Sequence, residues 1–463
     1  MSGPAEVLVI GGGFAGLSAA AALAADGLHV TVLEKRPVLG GRAYSYTDAV
    51  TGDTIDNGQH AMMGCYHEMF AFLDRIGATG KLAIQPRPRV VMLDPERGEG
   101  TIGCPPLPNP LHMAAGVLGY RLISLPDRAR VLLGGLRLLA MKRRRDSRLA
   151  ALTVDAVLDL LGQSPAARRA FWYPVAIATL NEDPTLASAD LLAEVMVRAF
   201  FSGPDDARFV LARVGLSELY TEDARRFIVA RGGRVETKAQ VVGIGIHSGE
   251  VSYVELRDGR RMVADAYVSA VPHQVLPSLL PVAVRREIPA VGAIARLTSS
   301  PIVSVHVWFD RPLVAHQFVG FVGTQTHWLF NRDRITGRDP SGGSYLTFVI
   351  SGARDIVDLE NEAITSATLA EVRRLIPGSA SAQVRHTQVV KEKFATMSPT
   401  VEAARLRPPA ATPFANFVLA GDWTDTGLPA TIESAVSSGH RAAALATRHV
   451  ATVGRRRETR AAC

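Results

Sequence analysis

Cysteine is scarce in this chain. The 463 residues include three, Cys65, Cys104 and Cys463, and none forms a CxxC pair. That spacing excludes a disulfide framework and a cysteine-built zinc site, so no metal is expected and a reducing compartment fits best. A leader is not expected either. The strand-like run Val7-Leu8-Val9-Ile10 follows the start almost at once, which speaks against a secretory signal. Long uninterrupted apolar runs are missing as well. Residues 100–120 carry no Asp, Glu, Lys or Arg, but Pro105, Pro106, Pro108 and Pro110 break them. A spanning helix needs about 20 mostly apolar residues without such breaks. With 47% hydrophobic and 21% charged residues, neither general disorder nor a fibrous repeat is expected. The length allows two or three domains of roughly 100–200 residues each.

The net charge is +7. Its densest runs are Lys142-Arg143-Arg144-Arg145 and Arg455-Arg456-Arg457. A solvated, frayed tail accounts for the second. The first follows a long apolar stretch, so an anionic membrane surface competes with plain solvation there. No recognition motif accompanies the charge, so nucleic acid is not an expected partner. The expected location is cytoplasmic, with peripheral contact on the inner face of the membrane left open.

What is abundant lies in the first fifty residues. A β-branched run ends at Ile10, and Gly11-Gly12-Gly13-Phe14-Ala15-Gly16 follows. A helical stretch to Ala25, a stop at Gly27, a second strand and Glu34 come next. Gly11 suits a tight turn, Gly13 a close approach of backbone to pyrophosphate, and Gly16 close helix–strand packing. The helix N-terminus offers free N–H groups to phosphates. Glu34 is placed to accept from ribose hydroxyls. A lone GxGxxG is weak, but strand, turn, helix, strand and acid in order make a dinucleotide site.

Further on, Gly40-Gly41-Arg42 and Asp56-Asn57-Gly58-Gln59-His60 follow. Near the end, Leu419-Ala420-Gly421-Asp422-Trp423 precedes Gly427-Leu428-Pro429-Ala430-Thr431-Ile432-Glu433. A strand ending in Gly-Asp suits a ribityl or phosphate hydroxyl. A helix starting near Thr431 could aim N–H groups at a flavin carbonyl and stabilise negative charge there.

Between these motifs, residues 66–230 read as mainly helical, with helices over 68–76, 127–142, 155–161 and 191–200 and a strand at 89–93. The leucine-rich stretch from Leu107 to Leu139 reads as core, or as a greasy tunnel or monotopic face for a lipid. Trp172-Tyr173-Pro174 and Leu180-Asn181 form a compact group. Trp172 and Asn181 are candidates for an apolar pocket with one polar group, with turn capping the alternative for Asn181. The β-rich stretch 234–270 returns to the cofactor sheet. Residues 280–410 alternate strands and helices and would floor the substrate cavity.

The pattern GxGxxGLxxAxxLxxxGxxVxVLE followed by GGR resembles the flavin-binding signature of the amine oxidase and phytoene desaturase superfamily. With the DNGQH, LAGDW and GLPATIE stretches it is similar, nearly end to end, to the hydroxysqualene dehydroxylase family. The resemblance implies an α/β fold: a discontinuous Rossmann-like FAD-binding domain with an inserted substrate domain of mixed sheet and helices. The implied division is FAD-binding at 1–65, 231–279 and 411–450, substrate regions at 66–230 and 280–410, and a basic tail at 451–463. It implies non-covalent FAD held by Gly11, Gly13, Phe14, Ala15, Gly16, Glu34, Lys35, Gly41, Arg42, Gly58, Gln59, His60, Val241, Gly421, Asp422, Thr431 and Ile432, with the backbone of Val241 against adenine. It further implies a lipophilic isoprenoid substrate, reductive loss of an allylic hydroxyl in hopanoid synthesis, and an unidentified electron donor. His60 and Asp425 are candidates for the acid that protonates the leaving hydroxyl. A carotenoid-type desaturase on the same scaffold, and a flavin-binding scaffold without turnover, are the competing readings.

Overall fold

The computed structural model describes residues 5–287, 289–339 and 342–461. Cys463 lies outside them, and so do the side chains of the Arg455-Arg456-Arg457 run, although the last helix, Ile432–Ala461, passes through that run.

A five-stranded sheet organises the cofactor half. Its order is Arg234–Glu236, His29–Leu33, Glu6–Ile10, Ala266–Ser269, Phe417–Leu419, and every pairing is parallel. Apart from the neighbouring strands Glu6–Ile10 and His29–Leu33, adjacent strands come from widely separated stretches of the chain. The first strand shows why it sits centrally. Val7 and Val9 face one apolar cluster, while Leu8 and Ile10 face another. Period-two alternation with both faces apolar is what a sheet covered on both sides requires. Helices Phe14–Ala25, Leu216–Val229 and Ile432–Ala461 cover one face. A three-stranded antiparallel sheet, Val241–His247, Glu250–Leu256 and Arg261–Met262, covers the other.

The second half is a seven-stranded sheet backed by helices. Its order is Val384–Met397, Ser299–Phe309, Ser344–Ser351, Trp328–Asn331, Phe318–Phe321, Arg89–Asp94, Gly98–Gly103. Only the Phe318–Phe321 and Arg89–Asp94 pair is parallel. The helical layer comprises Leu111–Gly119, Leu125–Arg143, Val154–Leu160, Tyr173–Leu180 and Ala189–Met196. This differs from a mainly helical reading of 66–230. That stretch also donates two strands to the mixed sheet, and Leu82–Ile84 and Phe209–Ala212 to a small three-stranded one. The Gly98–Gly103 strand reads GEGTIG and has little β-propensity. It forms because the preceding turn is fastened by the Asp94 carboxylate, which accepts from the amides of Glu96 (2.8 Å) and Arg97 (3.2 Å). Asp94 itself is held by Arg169 at 2.7 Å.

Candidate active site

One cavity of about 650 Å³ joins the two halves. That size lies inside the usual range for ligand sites. At one end its walls are backbone. The first helix is capped by Gly13 with no side-chain bond, and its first internal bond is Leu17 N to Gly13 O at 2.9 Å. The N–H groups of Phe14, Ala15 and Gly16 therefore have no partner within the helix. Gly13, Phe14 and Ala15 line the cavity. Gly16 does not line it: a Cβ there would meet Gly11 O at 1.9 Å, so its task is to let helix and strand touch. At Gly13 the nearest neighbour of an added Cβ would be Gly41 Cα, at 3.6 Å. Two glycine turns thus face each other across a slot with no side chain in it.

Charged groups flank the slot. The buried Glu34 carboxylate accepts from the amides of Gly12 and Arg36, each at 2.8 Å, and lines the cavity beside Lys35, Arg36 and Val241. Arg42 forms an ion pair with Asp422, joining motifs 380 residues apart, and donates to Ala395 O at 3.1 Å. Burial alone would lower the Arg42 pKa, but Asp422 and Glu392 outweigh it and the net direction is up. Gly421 takes φ +143, and its N–H donates to Ser438 Oγ at 2.7 Å. Gly41, Gly58, Gln59, His60, Gly421, Asp422, Thr431 and Ile432 all line the same space. An uncapped helix start, a slot free of Cβ atoms and a flanking carboxylate are what a dinucleotide flavin needs, and the residues present fit one.

At the other end the walls are side chains. Phe209, Ile302, Trp328, Phe330 and Val349 enclose an apolar space, with Ala178 and Thr179 from the Tyr173–Leu180 helix. His60 and Tyr66 also line the cavity. Burial lowers the His60 pKa, and Arg42 adds to this against the pull of Asp56. Burial raises the Tyr66 phenol far above its ordinary value. At neutral pH both are neutral groups that carry a hydrogen to donate.

Two sequence candidates fall outside the cavity lining, and a third lines it in a structural role. Trp172 is fully buried and does not line the cavity: its indole N–H donates to Gln163 Oε1 at 2.7 Å, and its ring lies edge-on to Phe171 in the helical core. Asp425 is exposed, outside the cavity lining, and accepts from Gly427 N at 3.2 Å. Asn181 does line the cavity, but its amide is occupied. Nδ2 donates to Thr396 Oγ1 (2.9 Å) and Ser300 O (3.3 Å), and Oδ1 accepts from Gly352 N (2.8 Å). With φ +52 it ends its helix and ties it to the mixed sheet.

Sequence reasoning missed the supports beneath the site. Buried Arg407 donates to the carbonyls of Thr424 (2.9 Å), Asp422 (3.0 Å) and Leu428, and so fixes the Gly-Asp loop. Buried Arg332 donates to Gln59 Oε1 (2.6 Å) and pairs with Asp56 (3.2 Å) beneath the DNGQH stretch. Neither arginine lies in a motif. The aromatic wall did leave a trace: Trp328 and Phe330 alternate with a strand's period.

Comparison with known proteins agrees with this geometry. A family model described as flavin containing amine oxidoreductase matches residues 14–447. A curated relative, hydroxysqualene dehydroxylase of Sinorhizobium fredii (strain NBRC 101917 / NGR234), is 30% identical over 96% of this chain and 98% of its own length. The 15-cis-phytoene desaturase of Synechococcus elongatus is 26% identical over 94% of each chain. Among solved structures, an oxidoreductase from Methanosarcina mazei superposes with a TM-score of 0.75 at 18% identity, covering 94% of this chain and 99% of that one, which speaks to fold alone. Among the described residues no helix is long and apolar enough to cross a membrane. The chain belongs to the flavin containing amine oxidoreductase family, alongside the hydroxysqualene dehydroxylases, and is a flavin-dependent oxidoreductase.

Proposed function

We propose that the chain binds FAD non-covalently and uses it to reduce hydroxysqualene to squalene. The carrying observation is the cavity, continuous from the paired glycine turns to an aromatic wall, with His60 and Tyr66 as neutral donors along it. The likeness to hydroxysqualene dehydroxylase over nearly the whole chain supports the substrate. The non-covalent mode is supported by a cavity lining that holds no cysteine among the described residues. The nearest sequence neighbour, Cys65, is buried and its thiol is pushed up to about 12.

When bound, a reduced flavin supplies hydride. The residues of this chain do the rest. The glycine turns and the helix start hold the pyrophosphate, and Glu34 the ribose. Phe209, Trp328 and Phe330 pack the isoprenoid chain and keep water away. His60 bonds the allylic hydroxyl through its N–H and, in its imidazolium form, gives the proton with which the hydroxyl leaves as water, returning to neutral imidazole. Repeated turnover would require an external electron donor. A substrate of this kind is dissolved in lipid, so the reading includes peripheral contact with a membrane.

The likeness to phytoene desaturase favours one second reading, the same scaffold removing hydrogen from a polyene. The test is anaerobic: reduce the purified flavoprotein, add hydroxysqualene, and follow flavin absorbance with product analysis. Reoxidation together with squalene is expected. Silence there, with bleaching of the oxidised protein by phytoene, would replace the reading with desaturation. Silence in both would leave a flavin-binding scaffold.

A further inference from the structure

The helix Leu125–Arg143 has two apolar faces. Its inward face is Val131, Gly134, Gly135, Leu138 and Met141, all buried. At 100° per residue, Leu125, Ala129, Leu133 and Leu136 fall on the opposite side. There they are exposed, the leucines by 67%, 56% and 50%. A surface helix ordinarily sets charged residues on that side. The preceding helix, Leu111–Gly119, holds no Asp, Glu, Lys or Arg, packs against the first, and exposes Leu111 and Leu118 by 56% and 49%.

The charge around these leucines is predominantly basic, although Lys142 is paired with Asp190 and Glu194 of the Ala189–Met196 helix. Residues 121–145 contain eight Lys or Arg and one acid, Asp127. Asp127 is buried and tied to Ser124, Ser164 and Arg130. Arg130, Arg137 and Arg144 recur every seven residues along one edge of the exposed stripe. Leucines flanked by a row of guanidinium groups match an anionic lipid surface: acyl chains take the leucines and phosphates the arginines. A protein partner would need acids placed singly; a lipid surface needs only density of negative charge.

The face belongs to the helical layer whose core reaches Trp328, and Trp328 also lines the cavity. We propose that the Leu111–Gly119 and Leu125–Arg143 helices form a monotopic docking face for an anionic phospholipid bilayer. The inference deepens the isoprenoid reading above, to the extent that a bilayer is where such a substrate resides. Its test needs no substrate.

The flavin-loaded protein is floated with vesicles of phosphatidylcholine, with and without phosphatidylglycerol. Wild type should float with the anionic vesicles and poorly with the neutral ones. Leu133→Glu together with Leu136→Glu should lower vesicle affinity roughly a hundredfold. Arg137→Gln with Arg144→Gln should lower it at least about tenfold for anionic vesicles and leave the weak neutral binding unchanged. These positions are exposed, so flavin content and melting temperature should match wild type. Equal flotation of the leucine variant would overturn the proposal. So would a wild-type dimer that the leucine variant dissolves with no flotation by either, which would assign the face to a second copy. Flotation without any hydroxysqualene turnover would keep the docking face and reject the substrate.

Discussion

The two ends of the cavity are built in opposite ways. The glycine end, proposed for the pyrophosphate, is backbone, presented by the glycines that follow the first strand and by Gly40-Gly41, with one ion pair between Arg42 and Asp422. The aromatic end is side chain, contributed by a helix and by strands of two sheets. Backbone N–H groups can reach a phosphate only where Cβ atoms are absent, so the first end forces particular residues into a short window. An apolar wall needs bulk and shape alone, which many sequences supply. One end tolerates almost no change of residue type; the other tolerates repacking.

The sharpest way to break this contrast is Gly13→Val. An added Cβ there meets ordinary contact distances, so the fold should persist. The γ-methyls would fill the slot facing Gly41. Flavin content after purification should fall at least about a hundredfold, against a circular dichroism spectrum like wild type. A fully yellow variant would overturn the cofactor site.

Arg407→Met comes next. It leaves the carbonyls of Asp422, Thr424 and Leu428 without their shared donor in a buried loop. The expected loss is about 3–5 kcal/mol of stability in denaturant unfolding. Asp425→Asn, three residues from Asp422 but exposed, should change stability by less than about 0.5 kcal/mol and leave turnover intact. A large rate loss in that variant would return Asp425 to the site.

These two neighbours show how far the sequence could be read. The glycine turns, Glu34, Arg42 and Asp422 follow from what phosphate and ribose demand, and each lies in an unbroken motif. The α/β class was implied by the family resemblance that these motifs carry. Asp425 became a candidate acid because it follows Asp422 closely in the sequence, and linear distance was the only measure available. Arg407 and Arg332 act through long-range contacts, and no local pattern marks a buried guanidinium. The Gly98–Gly103 strand was hidden because its pairing comes from a fastened turn and not from its own propensity.

His60→Gln tests the junction of the two ends. It keeps a donor but cannot supply a proton, so turnover should fall about a hundredfold while flavin content holds. The pH dependence sharpens this. Burial depresses the His60 pKa, so the protonated fraction grows only as pH falls below the ordinary histidine range. The wild-type rate should rise on that side and the variant's should not. Stability should move the opposite way. Burial holds His306 at about 3 and His327 at about 4. Both are neutral in the fold and bind protons near 6.5 when unfolded. Their stabilisation is complete above that value and is lost as pH falls toward 4 and then 3. Both sit in or beside the mixed sheet, so acid should loosen the substrate half first, read by hydrogen exchange.

The smallest effect separates wall from core within the substrate half. Trp172→Phe removes one indole N–H bond, leaves Gln163 Oε1 unpartnered and opens a small void beside Phe171 and Gly134. The expected loss is about 1–3 kcal/mol of stability with KM unchanged. Phe330→Leu, at the cavity, should show the reverse: little loss of stability and a KM raised several-fold. Trp172 was the more conspicuous residue in the sequence, being large, aromatic and close to Asn181. Its burial follows from the helix pairing around it, where Gln163 offers an acceptor and Gly134 leaves room for the ring. If Trp172→Phe raised KM and Phe330→Leu did not, the isoprenoid would lie between the helices and not against the sheet.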